Sequence, residues 1–130
     1  MKKPRLQHVS CAVAPGAQEQ VRAFYGGVLG LEEKPCPSTL AERGLVWFYA
    51  GDYDMELHFV PNTLERNPAS VHHFCLEVEQ VESYRRRVSE AGYAITEDTT
   101  IPGRPRFFCR DPFNNLVEIT TIESNYLDAQ

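Results

Sequence analysis

The sequence lacks a CxxC pair, an excess of basic residues and a long apolar run, and each absence excludes a class of protein. The four cysteines (Cys11, Cys36, Cys75 and Cys109) are scattered, without the close pairs that are typical of zinc-ribbon and thioredoxin-like motifs. No apolar stretch approaches the roughly 20 residues that span a bilayer, so we expect no membrane partner. The net charge of −5 disfavours nucleic acid as a partner, because proteins that bind it carry a basic surface.

What is present is the composition of an ordinary globular chain. Of the 130 residues, 42% are hydrophobic and 24% are charged, which predicts a single domain over residues 1–130 with a sizeable core. We interpret the cysteines as small buried hydrophobic residues in a reducing compartment, which predicts a cytoplasmic protein. The first residues are basic (Lys2, Lys3 and Arg5), but no apolar segment follows them, so we expect no signal peptide.

Apolar periodicity predicts four strands and one helix in the first half of the chain. In the helix, Val21, Phe24, Tyr25 and Val28 have the spacing of a single apolar face, and Gly30 is the stop signal. In chain order the predicted elements are a strand at 6–13, a helix at 18–28 and strands at 31–34, 45–50 and 55–60.

A polar linker with two prolines, residues 61–70, separates this half from a second half with the same order of elements. The second half predicts a strand at 71–78, a helix at 81–91 and strands at 93–95, 106–110 and 116–122. The chain is therefore an internal duplication of two βαβββ modules, about 5–60 and 71–122, with an α+β fold. We expect two curved mixed sheets around a cleft, with the helices outside.

Residue offsets between the two halves support the duplication. His8 and His73 begin matching phrases, His-Val-Ser-Cys-Ala-Val and His-Phe-Cys-Leu-Glu-Val, 65 residues apart. An offset of 60 aligns His58 with Glu118 in the last strand of each module, and an offset of 59 aligns Phe48 with Phe107.

Histidines and a carboxylate inside apolar strands are costly unless something neutralises them. In the duplicated frame His8 corresponds to His73 and His58 corresponds to Glu118. If the first and last strands of each module face one cavity, these four side chains converge. Three imidazoles and one carboxylate suit a divalent zinc, nickel, manganese or iron ion.

Two of these assignments have alternatives. Glu56 precedes His58 by two residues, so both point to the same face of a strand and either is the fourth ligand; the offset favours His58. His72 and His73 point to opposite faces, and the repeat register selects His73. A cavity that holds no metal is the alternative to the site as a whole.

Six phrases of the sequence resemble the vicinal oxygen chelate superfamily, also called the glyoxalase/bleomycin resistance/dioxygenase superfamily. Within it, the chain is most similar to small bacterial glyoxalase-like proteins. The phrases are Leu6-Gln-His-Val-Ser-Cys-Ala-Val13, Phe24-Tyr-Gly-Gly-Val-Leu-Gly-Leu31, Trp47-Phe-Tyr-Ala-Gly-Asp52, His73-Phe-Cys-Leu-Glu-Val78, Glu90-Ala-Gly92 and Asp111-Pro-Phe-Asn-Asn-Leu-Val-Glu118.

The resemblance implies paired modules around a metal-bearing cleft, with His8, His73 and Glu118 at ligand positions and His58 or Glu56 at the fourth. Enzymes of this superfamily let the metal chelate two neighbouring oxygens of a substrate. We therefore expect a lyase or isomerase that removes a proton next to such an oxygen on a small molecule, with Glu118 or Glu56 as general base. The alternatives are a non-catalytic binding protein of the bleomycin-resistance type, or a thiol transferase or dioxygenase of the same superfamily.

Five further side chains are candidates for substrate contact. The loop before the strand at 106–110 would place Arg104 or Arg106 over an anionic substrate. Trp47, Tyr49 and Phe108 would line the cavity, since strand alternation puts Trp47 and Tyr49 on one face; the alternative is that this face packs under the helices. Open sheet edges also predict a homodimer, and the four metal ligands can come from one chain or from two.

Overall fold

A computed structural model describes residues 2–52, 54–63 and 67–129 of the chain. Its backbone contacts divide into two compact units, unit one over Met1–Glu65 and unit two over Arg66–Gln130. The division falls within the linker that the sequence predicts between the modules. Residues 64–66 of that linker lie outside the described residues.

Unit one contains a four-stranded mixed sheet. Its strands are β1 (His8–Val13), β2 (Glu33–Lys34), β3 (Val46–Tyr49) and β4 (Glu56–Pro61), in the spatial order β1-β4-β3-β2. Strands β1 and β4 are parallel, and β3 is antiparallel to both β4 and β2. A short helix α2 (Ser38–Ala41) lies between β2 and β3. The mixed sheet and the strand order along the chain confirm the prediction for this module.

Helix α1 covers the predicted residues but changes its hydrogen-bonding pattern part-way. It is α-helical over Gln18–Val21 and π-helical over Arg22–Val28, and the N–H of Leu29 donates to the carbonyl of Phe24 at 2.9 Å. Because π-helical bonds reach five residues back, the buried face shifts by one residue. Leu29 is buried where the sequence predicts Val28, which is half-buried.

One face of the unit-one sheet forms a core with helix α1. The rings of Tyr25 and Phe59 lie with centroids 4.2 Å apart, and Phe48 packs edge-on against Phe59 at 6.0 Å. All three are at most 1% exposed, and burial of a side chain this large contributes about 1.5–3 kcal/mol of transfer free energy. Since neighbouring residues of a strand point to opposite faces, this packing turns the polar residues of β3 and β4 to the other face.

Unit two contains a three-stranded mixed sheet and a longer helix. Its strands are β5 (His73–Glu77), β6 (Arg106–Arg110) and β7 (Leu116–Thr120), in the order β5-β7-β6, and its helix is α3 (Val81–Glu90). Strands β5 and β7 are parallel and β6 is antiparallel to β7. The core consists of Val81 and Val88 of the helix with Phe107, Cys109, Val117 and Ile119 of the sheet. A 3₁₀ turn, Tyr126–Ala129, follows near the end of the chain.

The strand predicted at 93–95 is wrong. In this described segment the backbone forms an isolated bridge between Thr96 and Phe108, with reciprocal N–H to carbonyl bonds of 2.9 Å. The N–H of Tyr93 still donates to the carbonyl of Val88 at the end of the helix, at 3.2 Å. This N–H is therefore not available for a β-ladder over 93–95.

The cross-strand register places the two modules in correspondence. In unit one, His8 lies opposite the residue that precedes His58 by two. In unit two, His73 lies opposite the residue that precedes Glu118 by two. His58 and Glu118 therefore occupy equivalent positions in their sheets, as the offset of 60 predicts.

Phe48 and Phe107, which the offset of 59 aligns, do not occupy equivalent positions, so this part of the alignment is wrong. Phe48 lies opposite the residue just before His58. In unit two, Cys109 lies opposite the residue just before Glu118, so Cys109 corresponds to Phe48. Phe107 is therefore two residues away from the true counterpart of Phe48. Both residues face their own core, and aromatic identity alone does not determine cross-strand register.

In the described part of the chain, no helix has both the length and the apolar character needed to cross a membrane.

Candidate functional site

The face of the unit-one sheet opposite helix α1 carries a cluster of polar and aromatic side chains. Residues that lie opposite each other in the register share this face. The cluster contains His8, Lys34, Trp47, Tyr49, Glu56 and His58. Trp47 and Tyr49 thus share a face, as predicted, and it is not the face that packs under the helix.

His58 lies at the centre of this cluster in a stack of rings. Its imidazole is 4.2 Å from that of His8 and 3.9 Å from the ring of Trp47, at interplanar angles of 19° and 5°. Burial lowers the pKa of His58, and the neighbouring His8 lowers it further. A histidine held neutral in this way keeps a lone pair that can accept a hydrogen bond or bind a metal ion.

Glu56 is the most strongly paired carboxylate of the cluster. Its Oε2 accepts from the ammonium of Lys34, and its Oε1 lies 2.8 Å from Nε2 of His58. The hydrogen bond from Lys34, followed by the one from His58, lowers the pKa of Glu56 to about 2. Lys34 is missed by the sequence analysis, because its place beside Glu56 depends on the pairing of β2 with β3.

His8 is oriented by the residue before it. The side-chain amide nitrogen of Gln7 donates to the backbone carbonyl of Asp54, so the amide oxygen of Gln7 faces His8 Nδ1 at 2.7 Å. Nδ1 is therefore the protonated nitrogen of a neutral His8, which leaves the lone pair on Nε2.

The corresponding face of the unit-two sheet brings His73 and Glu118 together. Nε2 of His73 lies 3.1 Å from Oε1 of Glu118. Nδ1 of His73 lies 2.9 Å from the backbone carbonyl of Val71 and donates its proton there. A carbonyl that binds Nδ1 fixes the imidazole tautomer and orientation, as is common for histidines that bind metals.

Arg106 and Phe108 surround this pair. Nη1 of Arg106 donates to Oε2 of Glu118 at 3.3 Å, and Nη2 donates to the carbonyl of Thr99 at 2.6 Å. The ring of Phe108 meets His73 edge-on at 5.2 Å and lies 5.2 Å below the guanidinium of Arg106. Arg106 and Phe108, two of the five residues predicted for substrate contact, thus lie beside Glu118.

Arg104 lies apart from the carboxylate. Its guanidinium stacks on the ring of Tyr126 at 5.0 Å, and its Nε is buried without a hydrogen-bond partner. Nε of Arg106 and Nε1 of Trp47 are also buried and unpartnered. Buried donors are normally satisfied, so each of these atoms needs an explanation.

Cys75 lies directly opposite Glu118 on the same face. Desolvation, followed by the charge of Glu118, raises the pKa of its thiol to about 12, against the opposing charges of Arg106 and Arg104. A thiol with this pKa is not a nucleophile at neutral pH. Cys75 is also exposed, while Cys11 and Cys109 are buried as predicted.

An open cleft of about 380 Å³ adjoins His73 within unit two. Its walls include the apolar side chains of Val71, Phe108 and Leu116 and the polar ones of Thr96 and Arg110. This volume lies within the about 300–1,000 Å³ that is usual for small-molecule sites.

The predicted ligands are thus present as two pairs, His8 with His58 and His73 with Glu118, each within its own unit. Within residues 2–52, 54–63 and 67–129, no group of three or more histidine, cysteine, aspartate or glutamate side chains is arranged to hold a metal ion. His72 lies outside the cluster, exposed, with its backbone N–H bonded to Ser70.

Comparison with known proteins agrees with this architecture. Residues 5–119 match the model of the Glyoxalase/Bleomycin resistance protein/Dioxygenase superfamily. The chain belongs to this superfamily. No curated protein matches the chain.

Several solved structures share the fold. A protein from Bacillus anthracis assigned to the glyoxalase family is 31% identical, with a TM-score of 0.82 over 94% of this chain and 98% of its own. A glyoxalase/dioxygenase from Nostoc punctiforme is 20% identical, with a TM-score of 0.77 over 92% of each chain. A point mutant of the fosfomycin resistance protein FosX from Listeria monocytogenes, complexed with Mn(II) and 1S,2S-dihydroxypropylphosphonic acid, is 13% identical, with a TM-score of 0.78 over 99% of this chain and 100% of its own.

The fold is thus shared by proteins of different activity. Besides FosX, structures similar to this one include a lactoylglutathione lyase from Agrobacterium tumefaciens and the antibiotic-binding protein TnmS3 from a Streptomyces species, at 22% and 19% identity. Fold membership therefore does not select between enzyme and binder, and the side chains of the site must do so.

Proposed function

We propose that this chain is a glyoxalase-like, metal-dependent enzyme that removes a proton next to an oxygen of a small substrate. The proposal keeps His8, His58, His73 and Glu118 as the metal ligands, with Glu56 as the alternative to His58. The Mn(II) in the related FosX structure is in keeping with a divalent ion, and zinc, nickel and iron suit the same donors.

The observation that carries the proposal is the contact between His73 and Glu118. Because Nδ1–H of His73 donates to the carbonyl of Val71, a neutral His73 presents the lone pair of Nε2 to Oε1 of Glu118 at 3.1 Å. Two acceptors face each other stably only when a positive charge lies between them, either a second proton or a metal ion. Two donor atoms that bind one ion at about 2.0–2.2 Å lie about 3.0–3.4 Å apart, so the pair fits a shared ion.

The donor set of unit one fits the same type of ion. His8 keeps the lone pair on Nε2 because its Nδ1–H donates to the amide oxygen of Gln7, and burial keeps His58 neutral by lowering its pKa. Neutral imidazoles and an ionised carboxylate are the protonation states that bind divalent metals. When bound, such an ion supplies Lewis acidity that weakens an adjacent C–H bond of the substrate.

Of the two candidate bases, Glu118 suits proton removal better than Glu56. The pKa of Glu56 is about 2, because Lys34 and His58 stabilise its charge, and a carboxylate that acidic is a poor proton acceptor at neutral pH. We therefore assign Glu118 as the general base, a role that requires its carboxylate to leave the metal ion, and Glu56 as a group that positions His58. Arg106 holds the Oε2 oxygen of Glu118 and so orients the carboxylate.

A non-catalytic binding protein is the second candidate. The cleft beside His73 favours it, because its apolar walls could enclose a ligand without any metal. In that case the polar cluster would serve hydrogen bonding to the ligand rather than chemistry.

Metal content distinguishes the two functions. We would express the chain without a His-tag and measure bound metal by mass spectrometry in the wild type, in His73→Ala and in His72→Ala. His72 is the matched control, since it is the adjacent histidine and its recorded contact is through the backbone.

We expect about one divalent ion per chain in the wild type and in His72→Ala, and loss of it in His73→Ala. The loaded protein would then be screened with 2-oxoaldehyde hemithioacetals, acyl-CoA epimers and catechols. If no variant takes up metal after reconstitution, the catalytic proposal fails and the binding protein stands.

A further inference from the structure

We propose that Arg104 is the counterion for an oxyanionic group of the substrate, a carboxylate, phosphate or phosphonate, and that Tyr126 positions it. The inference deepens the proposed function and rests on it, because the bound anion is part of a substrate only if the chain is an enzyme. It concerns unit two alone, and its observations are independent of any metal.

The first observation is that Arg104 has no ion-pair partner among the described residues. Among the residues that the structure describes, no carboxylate forms an ion pair with this half-buried guanidinium, and its Nε is buried without an acceptor. The other arginines of the unit-two sheet are engaged: Arg106 with Glu118 and Thr99, and Arg110 with the carbonyls of Asn114 and Ser70. A buried guanidinium N–H without an acceptor is costly, which points to an anion that arrives from outside.

The second observation is where this charge lies. Arg104 lies two residues before Arg106, in the loop that leads into strand β6, and the guanidinium of Arg106 donates to the carboxylate of Glu118. An oxyanion on Arg104 would therefore be held near the proposed base. Nε of Arg106, also buried and unpartnered, is a second donor on the same side.

The third observation is that the C-terminal segment holds Arg104 in place. The guanidinium rests on the ring of Tyr126 at 5.0 Å, a cation–π contact that restricts a long side chain. The carbonyl of Gly103 accepts from the N–H groups of Glu123 and Ser124, at 2.8 and 3.4 Å. A Cβ atom at Gly103 would collide with Oγ of Ser124, so this loop and the segment after β7 touch backbone to backbone.

Anion binding to the whole, chelator-treated protein tests the inference without metal or turnover. We would follow the arginine Nε–Hε signals by NMR during titration with inorganic phosphate and, separately, with acetate, against sodium chloride at matched ionic strength. We expect a saturable shift of the Arg104 signal with phosphate, acetate or both. Arg104→Gln should abolish the binding, while Arg86→Gln, which removes an exposed arginine of helix α3, should leave it unchanged.

Tyr126 is tested by a pair of variants. Tyr126→Leu removes the ring and should weaken anion binding at least about fivefold, whereas Tyr126→Phe keeps the ring and should preserve it. Because phenylalanine keeps the ring and loses only the hydroxyl group, a difference between the two variants assigns the effect to the ring.

The inference is overturned if the Arg104 signal responds no more than that of Arg86, or responds equally to chloride, which would indicate an adventitious ion only. Its failure is distinguishable from failure of the proposed function. Metal uptake with no anion binding would sink the inference alone, and anion binding without metal uptake would sustain Arg104 as a binding residue while ending the catalytic proposal.

Discussion

In unit one the carboxylate of Glu56 pairs with an ammonium and an imidazole, whereas in unit two the carboxylate of Glu118 pairs more loosely with a guanidinium and an imidazole. Lys34 and His58 together lower the pKa of Glu56 to about 2. Glu118 is held on one oxygen by Arg106 and meets Nε2 of His73 with the other. Yet His58 and Glu118 occupy equivalent positions of the two sheets.

This difference teaches that duplication of a fold need not duplicate the chemistry of a site. The strand register repeats, so the same positions point to the same kind of face. The neighbours of those positions do not repeat, and they determine how closely each carboxylate is paired. The closer pairing of Glu56 suits support of a site, and the looser pairing of Glu118 suits reaction.

The largest expected effect comes from the unit-two carboxylate. Glu118→Gln should lower the affinity for a divalent ion by more than about 100-fold, since loss of a ligand exceeds the 10–100-fold cost of losing a residue that supports one. Affinity would be measured by competition with a chromogenic chelator. Glu77→Gln, on the neighbouring strand β5, is the control and should bind metal as the wild type does; equal affinity in both variants would remove Glu118 from the ligand set.

The next effect compares two glycines with a left-handed backbone, one in each unit. Gly16 has φ +75 with open space around it, and Gly103 has φ +72 with Ser124 against it. Gly16→Ala should lower the free energy of unfolding by about 1–2 kcal/mol, the strain of a left-handed alanine. Gly103→Ala should cost about 1–3 kcal/mol more, because Ser124 must move. Urea unfolding would measure both, and equal costs would mean that the C-terminal segment yields freely.

A smaller effect is expected from Gln7. Its side chain orients His8 in unit one, whereas a backbone carbonyl orients His73 in unit two. Gln7→Ala removes the acceptor for Nδ1 of His8 and should lower metal affinity about 10-fold, as for other residues that orient a ligand. Titration calorimetry with zinc would detect this change. Unchanged affinity would indicate that His8 is not a ligand or needs no orientation. Unit two offers no such variant, since the carbonyl of Val71 survives any substitution of its side chain.

The smallest effect concerns pH. The pKa of Glu56 lies below its ordinary value of 4.5, at about 2, so its ion pair stabilises the fold above about pH 4.5 and the stabilisation is lost as pH falls towards 2. Lys34→Met should therefore lower the melting temperature at pH 7 and differ less from the wild type at pH 3. Lys3→Met, an exposed change, should shift neither value. A deficit independent of pH would mean that packing of Lys34, not its charge, matters.

Much of the fold follows from local patterns, and the failures have physical causes. Alternation in β3 correctly places Trp47 and Tyr49 on one face, and the repeat correctly aligns His58 with Glu118. The helix prediction misses that Leu29 rather than Val28 is buried, because a π-helical bond shifts the face by one residue. The strand at 93–95 fails because the helix end holds the N–H of Tyr93.

The sequence predicts where the site residues lie but not which groups of the chain contact them. Histidines and a carboxylate in apolar strands mark where polar groups gather, and that much needs only the period of a strand. Lys34, Gln7 and the carbonyl of Val71 carry no such mark, because each acts through a contact with another part of the chain.

By itself, the sequence determined the order of elements except the strand at 93–95, the apolar faces of the sheets and the strand positions of His8, His58, His73 and Glu118, since these depend on spacing along the chain. Tertiary structure alone decided which strands pair, that Lys34 neutralises Glu56 and that Arg104 rests on Tyr126. Those contacts join residues 22 positions apart in both cases, and only the folded backbone brings such residues together.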